Sequence, residues 1–132
     1  MVLIEETTLH ITRGDETTGK FNRLAFYVPI YNGIEEEKYK FQPDDKITFI
    51  VVEKKGYTKK EILKKEYTPR ELGYIEETEV LEIPLTEEET LKFPLKNKKT
   101  PYWYSIKVKG VSTVLGSDLD GNKIFNVYPN AD

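Results

Sequence analysis

The sequence predicts an all-β fold, an antiparallel β-sandwich of roughly seven to eight short strands. Three observations carry this. Apolar residues alternate with polar ones in short segments, Gly, Pro, Asn and Asp punctuate those segments, and no helical pattern is long enough for a parallel crossover.

Leu9 and Ile11 point one way while Thr8, His10 and Thr12 point the other, before a turn at Gly14-Asp15. Leu24, Phe26 and Val28 share the next face, which Pro29 is expected to close. From Ile47 to Val52 both faces are apolar, as expected of a strand in the centre of a sheet or between two layers.

Thr58-Lys59-Lys60-Glu61 matches a helix capping box, but the apolar residues after it do not continue at helical spacing. That period favours a strand, cut short by Pro69 and Gly73. Leu81, Ile83 and Leu85 alternate with Glu82 and Pro84, and Pro84 has no N–H for a ladder, so an edge or an end is expected there. A second capping box, Thr86-Glu87-Glu88-Glu89, comes shortly before Pro94 and predicts a single helical turn.

Tyr102, Tyr104, Ile106 and Val108 form a stripe opposite Trp103, Ser105, Lys107 and Lys109. Val111 to Leu115 and Lys123 to Tyr128 flank Asp120-Gly121, a dipeptide suited to the positive φ angles of a tight turn, and are expected to form one hairpin.

A chain of 132 residues fits a single domain, 1–132, with one core. Its nine tyrosines and six phenylalanines argue for a folded chain despite a charged fraction of 33%. The net charge is −3, and acidic residues interrupt the lysine clusters, so no concentrated basic face for nucleic acid is expected. No apolar run approaches the ~20 residues that span a bilayer. The N-terminus lacks a signal-peptide pattern, so a product made in the cytoplasm, with no membrane partner, is expected.

With no cysteine, thiolate metal sites and thiol nucleophiles are excluded. His10 is the lone histidine and is expected at the surface, without the partners a general base or metal ligand needs. The runs Glu35-Glu36-Glu37 and Glu87-Glu88-Glu89 repel and hydrate; they are not a carboxylate pair facing across a cleft. Asp118 to Asn122 lacks the spacing of a calcium loop and reads as a turn. No glycine-rich phosphate loop or nucleophile elbow is present. A non-catalytic chain with no cofactor is expected. The candidate interaction surface is aromatic: Tyr57, Tyr67, Tyr74 and Trp103.

Three blocks resemble small phage and prophage proteins of low-GC Gram-positive bacteria. Leu9-His10-Ile11-Thr12-Arg13-Gly14-Asp15 looks like the opening of baseplate and fibre-associated N-terminal domains. Phe41-Gln42-Pro43-Asp44-Asp45-Lys46 running into Ile47-Thr48-Phe49 is similar to a strand of that family. Leu85 to Thr90 followed by Tyr102-Trp103-Tyr104-Ser105-Ile106 is similar to its later signature, with Glu89 and Ser105 where the family usually carries Asp. The ending, from Thr113 through Val127-Tyr128-Pro129, resembles short prophage members.

The resemblance implies an immunoglobulin-like or baseplate-upper-protein-like sandwich docking onto other tail or baseplate proteins in the virion. Such a role implies homo-oligomers or docking to a symmetric ring. The alternative function is a carbohydrate-binding module for host-surface polysaccharide, suggested by the Tyr and Trp content.

Overall fold

The computed structural model describes residues 1–19, 21–31, 33–116 and 123–130. The chain is all-β. Its largest sheet contains β1 (Val2–Glu5), β2 (Thr8–Thr12), β6 (Ile47–Lys55), β7 (Thr58–Tyr67), β9 (Thr100–Val108), β10 (Ser112–Leu115) and β11 (Ile124–Tyr128). Their order is β1-β2-β11-β9-β6-β7, with β10 also on β9. Two ribbons complete the set: β3 (Leu24–Tyr27) with β8 (Val80–Ile83), and β4 (Pro29–Tyr31) with β5 (Glu36–Lys38). A helical turn, α1 (Glu87–Thr90), and a 3₁₀ turn over Pro69–Leu72 are the described helical segments.

Alternation explains which side of each strand is buried. Leu9 and Ile11, then Ile47, Phe49 and Val51, then Tyr102, Tyr104, Ile106 and Val108, all lie in one buried cluster. Leu24, Phe26, Leu81 and Ile83 of the β3–β8 ribbon join it, as does Phe93, whose ring stacks on Phe125 at 5.4 Å. Burying each such side chain contributes about 1.5–3 kcal/mol. β6 lies between β9 and β7 in the sheet, and its second apolar face, with Ile50 and Val52, is only partly buried.

Several expectations need correction. The sheet is mixed, because β11 runs parallel to β2, from Phe125 opposite Leu9 to Tyr128 opposite Thr12. There are eleven strands among the described residues, since β1, β4 and β5 add to those expected. β3 ends at Tyr27, just before Pro29, but Pro29 is more than a stop. It opens β4, where the missing N–H costs nothing. The expected final hairpin does not form: β10 and β11 both pair with β9, with Leu115 opposite Ile106 and Ile124 opposite Trp103. The Asp120-Gly121 turn lies outside the described residues.

The two described helical turns are capped as hydrogen-bond arithmetic requires. Thr86 and Glu89 form a reciprocal capping box at α1. Thr68 and Glu71 do the same at the 3₁₀ turn, which ends on Gly73 at φ 96°. Thr58-Lys59-Lys60-Glu61 is strand, within β7.

Candidate functional site

The four expected aromatics do not form one surface. Tyr67 is only 4% exposed, and its hydroxyl donates to the Glu82 carbonyl at 2.6 Å. Tyr74 donates to the Glu82 carboxylate at 3.0 Å. Burial, reinforced by the Glu82 carboxylate, pushes both phenols above their usual pKa. Tyr67 is therefore a core residue, because alternation along β7 turns it inward with Leu63. It cannot serve as interaction surface.

Tyr57 and Trp103 belong to a different region. The pairing of β6 with β9 ends at Val52 opposite Trp103. Beyond it, Glu53 to Lys60 pair with one another, making a two-stranded arm among the described residues. Its tip turns at Gly56, φ 60°, and leaves Tyr57 fully exposed. Lys54, Lys55, Lys59 and Lys60 against Glu53 give the arm a net +3, and the chain total of −3 then leaves −6 for the remainder. At its base, Ile50, Val52 and Trp103 floor a hollow of about 150 Å³ with Lys54, Lys59 and Lys107 around it. The Lys54 ammonium lies 5.3 Å from the Trp103 ring centroid.

A larger concavity, about 930 Å³, opens over the β3–β5 region. Its floor follows alternation through two strands: Val28 is buried, whereas Tyr27 and Tyr31 are 50% and 77% exposed and share a side with Pro29. Cross-strand pairing sets Lys38 opposite Pro29 and Glu36 opposite Tyr31. The Lys38 ammonium sits 3.9 Å from the Tyr27 ring centroid, a contact of about 0.5–1 kcal/mol at an exposed site.

The opposite rim is the Glu6-Thr7 turn between β1 and β2. Glu6 is the one non-glycine residue at positive φ, 57°, among the described residues. Thr7 is held by two side chains, its carbonyl accepting from the Tyr104 hydroxyl and its Oγ1 from Lys123 Nζ at 3.2 Å.

His10 is buried, at 6% exposure, and not at the surface. Its strand has β1 on one edge and β11 on the other, and Tyr128 packs at 5.9 Å between ring centroids. Nδ1 faces Asn126 at 3.4 Å and the Tyr128 hydroxyl at 3.3 Å. Glu5 Oε1 is 2.8 Å from Nε2 but outside hydrogen-bonding geometry. His10 lines neither concavity. Among the described residues no group of three or more His, Asp or Glu side chains is arranged to hold a metal ion, and no helix is long and apolar enough to cross a membrane.

The β4–β5 groove escaped the sequence reading. Asn32-Gly33 between Tyr31 and Ile34 carried the signal, as a strong short-range hairpin dipeptide. Comparison of the chain with protein-family models, with curated proteins and with solved structures gives no match.

Proposed function

We propose that this chain is a non-catalytic assembly protein of a bacteriophage or prophage tail, docking onto baseplate or fibre proteins in the virion. What supports docking is the β6–β7 arm. Among the described residues the arm's strands pair with each other, and its tip carries a fully exposed Tyr57. Exposed tyrosine is a residue type that protein interfaces favour, and the lysines around it suit the polar rim of such a contact. The sign of charge fits as well, since a +3 arm on a −6 body complements acidic partner surfaces, including those of another copy. The tail assignment rests on the ordered sequence blocks from Leu9 to Asp15, Phe41 to Phe49, and Leu85 to Ile106.

The test is solution mass by light scattering, first alone and then with the proteins encoded beside it. A defined oligomer or complex that Tyr57→Ser disrupts is the expected result. A monomer indifferent to each neighbour overturns the reading.

A further inference from the structure

We propose that the groove between the Glu6-Thr7 turn and the β3–β5 face binds a neutral oligosaccharide. Tyr27, Pro29 and Tyr31 lie on one side of a nearly extended segment, with both tyrosines at least half exposed. Four residues of extended chain separate the two rings by about 13 Å, the length of a short sugar chain. Aromatic faces suit the C–H face of a pyranose, and an exposed tyrosine offers a rigid apolar body with a polar tip.

The polar lining selects among occupants. Ionised glutamates only accept hydrogen bonds and ammonium groups only donate them. Glu6 and Glu36 therefore take donors, while Lys38, over the Tyr27 ring, and Lys123, bonded to Thr7, each keep N–H groups for acceptors around one apolar strip. A sugar hydroxyl does both. A proline-rich peptide, the other usual occupant of aromatic grooves, brings carbonyl acceptors and no backbone N–H from its prolines. It would bring few donors to the carboxylates.

Charge excludes polyions by the same reasoning. Three glutamates and two lysines line the groove, which leaves it close to neutral. A nucleic acid or a strongly acidic polysaccharide would need a clear basic excess.

The rim is also built to hold its shape. Glu6 keeps a left-handed backbone that costs an L residue energy, and two side chains anchor the next residue. Strain of that kind persists where the surrounding structure over-determines it, and it gathers at binding sites. The site stands apart from the tail-assembly reading, since a chain that binds no neighbouring protein can still bind sugar.

The experiment is an amide NMR titration of the full chain with cellotriose, maltotriose and triacetylchitotriose at millimolar concentration. At least one of them is expected to give saturable shifts centred on residues 25–31 and 36–38. Tyr31→Ala and Glu36→Gln, both at exposed positions, should each weaken binding at least about tenfold with an unchanged folded spectrum. Tyr57→Ala, on the arm and outside the groove's lining, should leave it intact. No shifts with any of the three sugars, or shifts that survive Tyr31→Ala, overturn the proposal. Shifts at the same residues with decaproline and none with sugar also overturn it, and reassign the groove to peptide docking.

Discussion

The Lys65 ammonium on β7 lies 2.7 Å from the Glu89 carboxylate in α1, and each side chain is about one-fifth exposed. The same Glu89 oxygen accepts from the Thr86 amide at 3.0 Å. One carboxylate thus completes a helix cap and ties the helical turn to the sheet.

That double duty predicts a loss of stability in acid. Burial raises the Glu89 carboxyl pKa, but the Lys65 ammonium and the Thr86 amide outweigh it and hold the group below its ordinary 4.5. A depressed folded pKa means stabilisation that is complete above 4.5 and is lost as pH falls through the folded value. Lys65→Met should cost about 1 kcal/mol at neutral pH, in the range of a partly exposed ion pair. The variant should also show a shallower decline of Tm below pH 4.5 than the parent. Equal acid slopes in the two proteins would refute the assignment.

Thr17 is fully buried, with its hydroxyl donating to the Ile83 carbonyl at 2.6 Å and accepting from the Leu85 amide at 2.7 Å. Its own amide donates to the Leu85 carbonyl. Thr17→Val keeps the shape and removes both hydroxyl bonds, leaving two buried backbone groups without that partner. The expected cost is about 2–3 kcal/mol, read from urea denaturation. Thr17→Ser, which retains the hydroxyl, should recover most of the hydrogen-bond share and lose only the methyl.

How much of this was legible beforehand depends on the range of each signal. Tyr102, Tyr104, Ile106 and Val108 announced their buried face because period two is a local property of the chain. The box at Thr86 was readable for the same reason. The placement of β11 was not, because pairing Phe125 with Leu9 joins residues from opposite ends of the sequence, and no local pattern encodes the partner. His10 was misread on the same account: its polar neighbours Thr8 and Thr12 are adjacent in sequence, whereas Asn126 and Tyr128 arrive from the far end. Tyr67 looked like any other tyrosine until Glu82 was brought against it. The groove escaped notice because Thr7 and Lys123 on one rim meet Tyr27 to Tyr31 only in the fold.

Gly116 follows β10 at φ 72°, and a Cβ there would run into the Tyr104 carbonyl oxygen and approach Ser105 Cα at 3.1 Å. The obstruction is backbone on both counts, so neighbouring side chains cannot relieve it. Gly116→Ala should cost about 2 kcal/mol or more through combined backbone strain and overlap. Gly110→Ala is the control, with φ 85° but nothing within 4 Å. It should cost about 1 kcal/mol, from the left-handed backbone alone. Equal losses at the two positions would show that the contact with Tyr104 contributes nothing.

Buried tyrosines predict the alkaline limit. Burial raises the phenols of Tyr104 and Tyr102, and burial with the Glu82 carboxylate raises Tyr67 and Tyr74, all above the ordinary 10.0. A raised folded pKa contributes in full below pH 10 and is lost progressively above it, as the unfolded chain releases those protons first. Unfolding above pH 10 should therefore coincide with a cooperative tyrosinate absorbance change. Tyr67→Phe should flatten that dependence. A gradual absorbance rise with no accompanying loss of structure would contradict the burial of these hydroxyls.

Glu6 offers a prediction of opposite sign. A left-handed backbone costs an L residue about 1–2 kcal/mol, and glycine takes it freely. Because Glu6 sits at φ 57° in a turn anchored through Thr7, Glu6→Gly should relieve that strain. Part of the gain is offset by the larger conformational entropy of glycine in the unfolded chain. The net expectation is a stabilisation of about 0.5–1 kcal/mol, seen as a rise in Tm. If the variant is also weakened in sugar binding, Glu6 trades stability for a carboxylate at the groove's rim. A fall in Tm would mean that the Glu6 side chain makes contacts worth more than the strain its backbone carries.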